Sequence, residues 1–305
     1  VASASKKLAR MPAVKGARKL MLQHLEEAEA AVERLPRPDD PEALHDLRVA
    51  LRHLRTYLAA YRKLFADTVS DKSLETLREL TQLTGPARDA EVQAQWLAEH
   101  SRSRRATTSP ATHLRTRLTQ HHEELLLDIR ERFARDFPRL AARLRRQLKR
   151  AKASGRRTFG KDTAKRVVRQ GHRLRERLDR IEGMADVEGA HASRITAKRV
   201  RYLLEPFGKL DGVHDTIQRL KELQDAFGEL HDLHVMLETM SDVPESAHAS
   251  RKRRAGSELA ALASTARRRM TRLYAQSEQR WRGAEGAELD EALAQAASTL
   301  RKAGR

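Results

Sequence analysis

The chain of 305 residues carries 61 Lys and Arg against 42 Asp and Glu, a formal excess of +19, which favours a polyanionic partner such as nucleic acid, an anionic surface or a phosphate polymer. It contains no Cys, which excludes disulfides and thiolate chemistry and fits a reducing compartment. No apolar run reaches the roughly 20 residues that a membrane span requires, and the opening VASASKKLARMPAVKGARK lacks the apolar core of a signal peptide, so a soluble cytoplasmic protein with no membrane partner is expected.

Apolar residues recur at helical spacing, and runs of alternating Val, Ile and Thr that would mark strands are missing, so the expected fold class is all-α. A first long helix is predicted over about 14–35, ended by Pro36, Pro38 and Pro41 with Asp39 and Asp40, and a second over about 42–66. A third, over about 71–100, contains Gly85 and Pro86; a kink or break is expected there, because proline gives up its N–H and crowds the preceding turn. The loop SRSRRATTSP leads into a helix over about 111–150, with a break expected at Pro138. From Arg139 to Lys161 there are ten basic residues and no acidic one, with Gly155 and Gly160 near the end, which reads as a helix end plus linker. Four helices are expected on either side.

The halves repeat. His45, Arg48, Arg52 and Arg55 match His191, Arg194, Lys198 and Arg201 at an offset of 146. LRELTQLTGPARDAEV from Leu77 lies over LKELQDAFGELHDLHV from Leu220 at an offset of 143, pairing Gly85 with Gly228 and Asp89 with Asp232. Ala17 and Arg18 lie over Ala164 and Lys165 at an offset of 147. Three blocks recurring in one order indicate a duplicated four-helix unit.

On a helical wheel Arg48, Arg52 and Arg55 fall within about 80° of arc to one side of His45, forming a stripe about 15 Å long. Leu47, Leu51, Leu54, Leu58, Tyr61 and Phe65 occupy another arc, free to pack into a bundle. Asp46 is the only acid between Ala43 and Lys63. The arginines therefore repel one another with almost no compensation inside the helix, which an external anion explains better than an ordinary solvated face does. Of the 61 basic residues 46 are Arg, the side chain whose planar fork matches phosphate oxygens in pairs. A histidine at the end of each stripe fits a supporting phosphate contact better than catalysis.

Nucleic acid is the second choice of partner, since any phosphate backbone answers the same electrostatics. Aromatic residues are 4% of the chain and none interleaves the stripe as a stacking platform. A metal-dependent phosphohydrolase ranks third. His231, His234 and Glu238 lie at i, i+3 and i+7, but the first repeat has Arg88 and Glu91 in place of the two histidines. Asp89 and Asp232 are expected to accept hydrogen bonds from arginines or brace a helix junction. No cofactor, metal or catalytic residue is expected, because glycine-rich phosphate loops, nucleophile elbows and paired-carboxylate motifs are missing.

HASRITAKRVRYLLEPF together with LKELQDAFGELHDLHV is similar to the second-half pattern of the CHAD domain, the conserved histidine α-helical domain, and HDLRVALRHLRTYL resembles its first-half pattern. The resemblance covers nearly the whole chain. It implies a single domain over residues 12–303 built of two four-helix bundles, 12–150 and 160–303, related by a pseudo-twofold axis around a basic central cavity. It further implies binding of inorganic polyphosphate and association with polyphosphate granules. Carried over position by position, the phosphate contacts are His45, Arg48, Arg52, Arg55, His191, Arg194, Lys198 and Arg201, with Arg18, Lys165, Arg166 and Arg199 as weaker candidates. His53 departs from the family's usual basic residue beside Arg52, which predicts a weaker or pH-dependent contact there. The triphosphate-tunnel barrel often fused ahead of the domain has no counterpart; the nearest string to its ExExK signature, EAEAA at Glu27–Ala31, lacks the lysine.

Overall fold

A computed structural model describes residues 2–37, 39–101, 109–152, 157–242 and 252–305; Pro38, residues 102–108 of the SRSRRATTSP loop and Gly155 of the expected linker lie outside them. Among the described residues every regular element is a helix, and the one β-type pairing is an isolated bridge between Pro12 and Thr158. The first half contains α1 (Ala2–Arg10), α2 (Ala13–Arg34), α3 (Glu42–Ala60), α4 (Asp71–His100) and α5 (Pro110–Arg150). The second contains α6 (Phe159–Asp179), α7 (Val187–Leu204), α8 (Val213–Ser241), α9 (Lys252–Arg282) and α10 (Ala284–Ala303).

Local chemistry sets the starts. The Ser70 hydroxyl accepts from the Ser73 N–H at 3.3 Å, Ser109 from the Thr112 N–H at 3.2 Å, and Asp186 from the Gly189 N–H at 2.8 Å, each satisfying a donor left free in a first helical turn. Helix α3 stops at Ala60 rather than continuing to residue 66. Tyr61 leaves helical geometry and its hydroxyl meets that of Thr163 in α6 at 2.6 Å, after which 62–64 form a single tight 3-10 turn.

Pro86, where a kink or break was expected, and Pro138, where a break was expected, lie inside helices that run on without a break. Each proline removes one backbone hydrogen bond. The flanking turns are held by packing, through Leu80, Thr84 and Ala87 in α4 and Phe133, Phe137 and Ala141 in α5, all buried. Among the described residues each half has five helices where four were expected: α1 stands ahead of the first bundle, and in the second half Gly283 separates α9 from α10. A Cβ at Gly283 would come within 2.6 Å of the Gln279 carbonyl oxygen, so the sharp turn depends on glycine.

Helix α2 touches α6, α3 touches α7, α4 touches α8 and α5 touches α9, so helices at matching places in the two repeats meet across the molecule. One apolar core runs through both halves, from Leu20 and Leu47 to Leu203 and Leu300. A second, smaller cluster joins α4, α5, α8 and α9 through Leu97, Leu118, Met236 and Leu262. Close approach of α2 to α6 requires Gly16, where a Cβ would lie 2.4 Å from the Phe159 ring.

Candidate anion-binding site

The packing of α3 on α7 decides where the two stripes go. Leu47, Leu51, Leu54 and Leu58 are buried on α3, as are Ser193, Ala197, Val200 and Leu204 on α7. The cationic edges flanking these faces are thereby brought toward each other. Arg48, Arg52, Arg194 and Arg201 are half-buried, and Lys198 retains only 7% exposure.

Electrostatics ties the two helices into one site. Burial pushes the Lys198 ammonium down to about 7, with further repulsion from Arg194, Arg52, Arg201 and Arg48 in that order. Arg48 is lowered to about 10 by burial and by Arg52, with Asp89 opposing. Arg194 is lowered by burial while Asp232 opposes, and Arg52 of the other repeat adds repulsion. Five cations from two repeats thus share one low-dielectric neighbourhood.

Two carboxylates face them. Asp89 is held above the usual carboxylate range by burial and by nearby Asp232, against the pull of Arg48, His231 and Arg194. They act on the arginines through space. Arg48 does not hydrogen-bond Asp89 but donates to the Thr84 hydroxyl at 2.8 Å and to the Thr84 carbonyl. Its counterpart Arg194 lies along Gly228, where a Cβ would stand 3.3 Å from Nε. The Nε atoms of Arg52 and Arg194 and the Nδ1 atoms of His191 and His231 are buried without hydrogen-bond partners, an arrangement that costs free energy unless an acceptor meets the donors. The His191 and His231 rings are 4.8 Å apart. Both are lowered by burial first, His191 then by His231, Arg194 and Lys198.

The other expected site residues are distributed differently. His45 and Lys165 are exposed. Arg55 lies close enough to Arg199 and Arg78 to be lowered by them after burial, so Arg55 and the exposed Arg199 form a second basic spot. Arg201 pairs with Glu205 at 2.8 Å and donates to Gln224 at 3.1 Å. Arg18 donates to the carbonyls of Lys149 and Ala151 at the end of α5. Arg166 is bound to Asp162 at 2.8 Å, donates to the Ala60 carbonyl and covers the Tyr61 ring. His53 points elsewhere: it meets Glu205 at 2.7 Å and stacks between His24 and Tyr202, with ring centroids at 4.6 and 3.9 Å.

Spacing alone presents His231 as a metal ligand, yet its field places it beside Arg194, Asp232 and Asp89. The signal lies in its adjacency to Asp232 within the repeated block. Among the described residues no three His, Asp or Glu side chains are grouped to hold a metal ion. His234 instead pairs with Glu238 at 3.2 Å.

The model of the CHAD domain matches residues 19–241. The chain belongs to the CHAD family. The structure is similar to the crystal structure of the CHAD domain from the plant Ricinus communis, with a TM-score of 0.71, 18% identity, and coverage of 93% of this chain and 92% of that one. It is also similar to PptA from Streptomyces chartreusis, with a TM-score of 0.61, 14% identity, and coverage of 95% and 99%. At these identities the likeness is one of fold. Comparison with curated protein sequences finds no match. This CHAD chain carries α9 and α10 beyond the span matched by the family model. Among its described residues no helix is long and apolar enough to cross a membrane.

Proposed function

We propose that this chain is a noncatalytic module that binds inorganic polyphosphate in a basic cavity, formed where the stripes of α3 and α7 meet across a pseudo-twofold axis, and that binding targets it to polyphosphate granules. One observation carries the reading: Lys198, almost wholly buried, sits in the field of four guanidiniums drawn from both repeats. Uncompensated buried charge is costly, and Asp89 and Asp232 offset only part of it. A linear polymer with a charge on every unit supplies counter-charge at repeated intervals, and its binding releases condensed counterions as DNA binding does. Pairing of equivalent helices across the halves supports the twofold relation.

Arg48, Arg52, Arg194 and Lys198 form the centre of the proposed contact, with Arg201 and His191 at the α7 edge and His45, Arg55 and Arg199 extending it. Arg18 and Arg166 act as helix-junction braces, and Lys165 is peripheral. The test is competition at fixed salt. Long-chain polyphosphate is expected to displace labelled duplex DNA at far lower phosphate concentration than unlabelled DNA does, with affinity falling steeply as salt rises. The opposite ranking would move the assignment to nucleic acid.

A further inference from the structure

A cleft of about 740 Å³ opens between α4, α8 and α9, within the size range of small-molecule sites. Val92, Leu233 and Met236 supply an apolar lining, and Trp96 lines it with its ring stacked on His100 at 4.2 Å and 11°. Arg194 reaches it from α7, so the cleft adjoins the cationic ridge.

Its charge character differs from that of the ridge. Four guanidiniums and four carboxylates line it, and one pair, Arg269 with Glu229, is closed at 2.6 Å. Such balanced walls offer little to a bare polyanion. Two unpaired atoms state what the cleft lacks. The Oε1 of Gln93, a side chain 7% exposed, is a buried acceptor with no donor, and Nε of Arg194 is a buried donor with no acceptor. A ligand that draws both side chains toward it is anionic at one end and carries N–H groups at the other, and the Trp96 ring in the same lining favours a planar group.

We propose that the cleft binds a nucleoside polyphosphate with an amino-bearing base. Its phosphates lie on Arg194 at the edge of the ridge, its base packs against Trp96, and its exocyclic amine donates to Gln93. This inference rests on the polyphosphate reading through Arg194 alone; Trp96 and Gln93 are independent of it.

The experiment titrates the full chain by calorimetry with ATP, ITP, inorganic tripolyphosphate and long-chain polyphosphate. ATP is expected to bind about tenfold more tightly than tripolyphosphate, the scale of one base stacking on one aromatic ring. Trp96→Leu should remove that advantage and leave tripolyphosphate binding unchanged. Gln93→Leu, which removes an unpaired acceptor and should fold normally by circular dichroism, should abolish the preference for ATP over ITP, whose base lacks the amine. Equal wild-type affinity for ATP and tripolyphosphate, or equal losses of both in Trp96→Leu, would overturn the proposal. If ATP fails while long-chain polyphosphate binds, the cleft inference falls alone; if the inorganic chains fail as well, the ridge reading falls with it.

Discussion

Arg48 and Arg194 occupy the same place in their repeats, yet one is tied down and the other is not. Arg48 is anchored on the carbonyl and hydroxyl of Thr84. The matching turn in α8 has Phe227 and Gly228, and the Arg194 Nε lying against it has no partner. The next position diverges as well, Arg52 remaining half-buried while Lys198 is nearly sealed from water. The two walls have thus diverged: the first holds an arginine anchored on Thr84, and the second an arginine whose Nε has no partner, followed by a nearly sealed lysine.

The largest expected effect removes one guanidinium from each wall. Arg52→Ala with Arg194→Ala should lower polyphosphate affinity by about a hundredfold, because two charge-assisted hydrogen bonds to the polymer disappear together, with helicity retained by circular dichroism. Unchanged affinity would show that neither wall touches the polymer.

Lys198 sharpens the contrast through pH. Its folded value of about 7 lies below the ordinary 10.5. Between those values the unfolded chain holds the extra proton, so stability rises as pH climbs from 7 toward 10.5; below 7 both states are charged and the penalty is complete. Lys198→Met should therefore stabilise the protein by about 2 kcal/mol at pH 6, the gain shrinking toward pH 10, as read by denaturant melts. Bound phosphate favours the ammonium, so polyphosphate affinity should fall above pH 7 with proton uptake visible by calorimetry in two buffers. A pH-independent difference between Lys198→Met and wild type would contradict this account.

Separating anchor from contact comes next. Arg48→Ala should cost stability, about 1.5 kcal/mol for the charged donor removed from Thr84, whereas Arg194→Ala, which removes a buried cation with an unpaired Nε, should keep or raise thermal stability and weaken binding. The smallest effect compares glycines. Gly85→Ala meets nothing within 4 Å beyond its chain neighbours, but its Cβ crowds the Pro86 ring in helical geometry, so the usual gain of about 0.5–1 kcal/mol should be largely lost. Gly228→Ala presses on the Arg194 Nε, so its helical gain should come with a measurable loss of polyphosphate affinity.

Much of this is legible in the sequence because it is local or repeated. Helical spacing places the long helices of both halves, and the recurrence of HxxR spacing places two stripes on matching elements. The continuity of α4 through Pro86 and of α5 through Pro138 is not legible, because a proline's local cost is set against packing contributed from distant chain. Gly283 shows nothing special in the sequence; its approach to Gln279 is what makes it a helix boundary. The fates of Arg18 and Arg166 are hidden for the same reason: their carbonyl partners, Ala151 and Ala60, lie more than a hundred residues away. His53 looks like a gap in the stripe, and only the fold shows it wedged against Tyr202 at the seam between repeats.

The apolar core passes uninterrupted from one repeat into the other. The two halves therefore cannot hinge apart like a jaw without exposing their shared interior. Whatever binds between α3 and α7 therefore meets two edges held apart by the core beneath them, with no closing motion of one half upon the other.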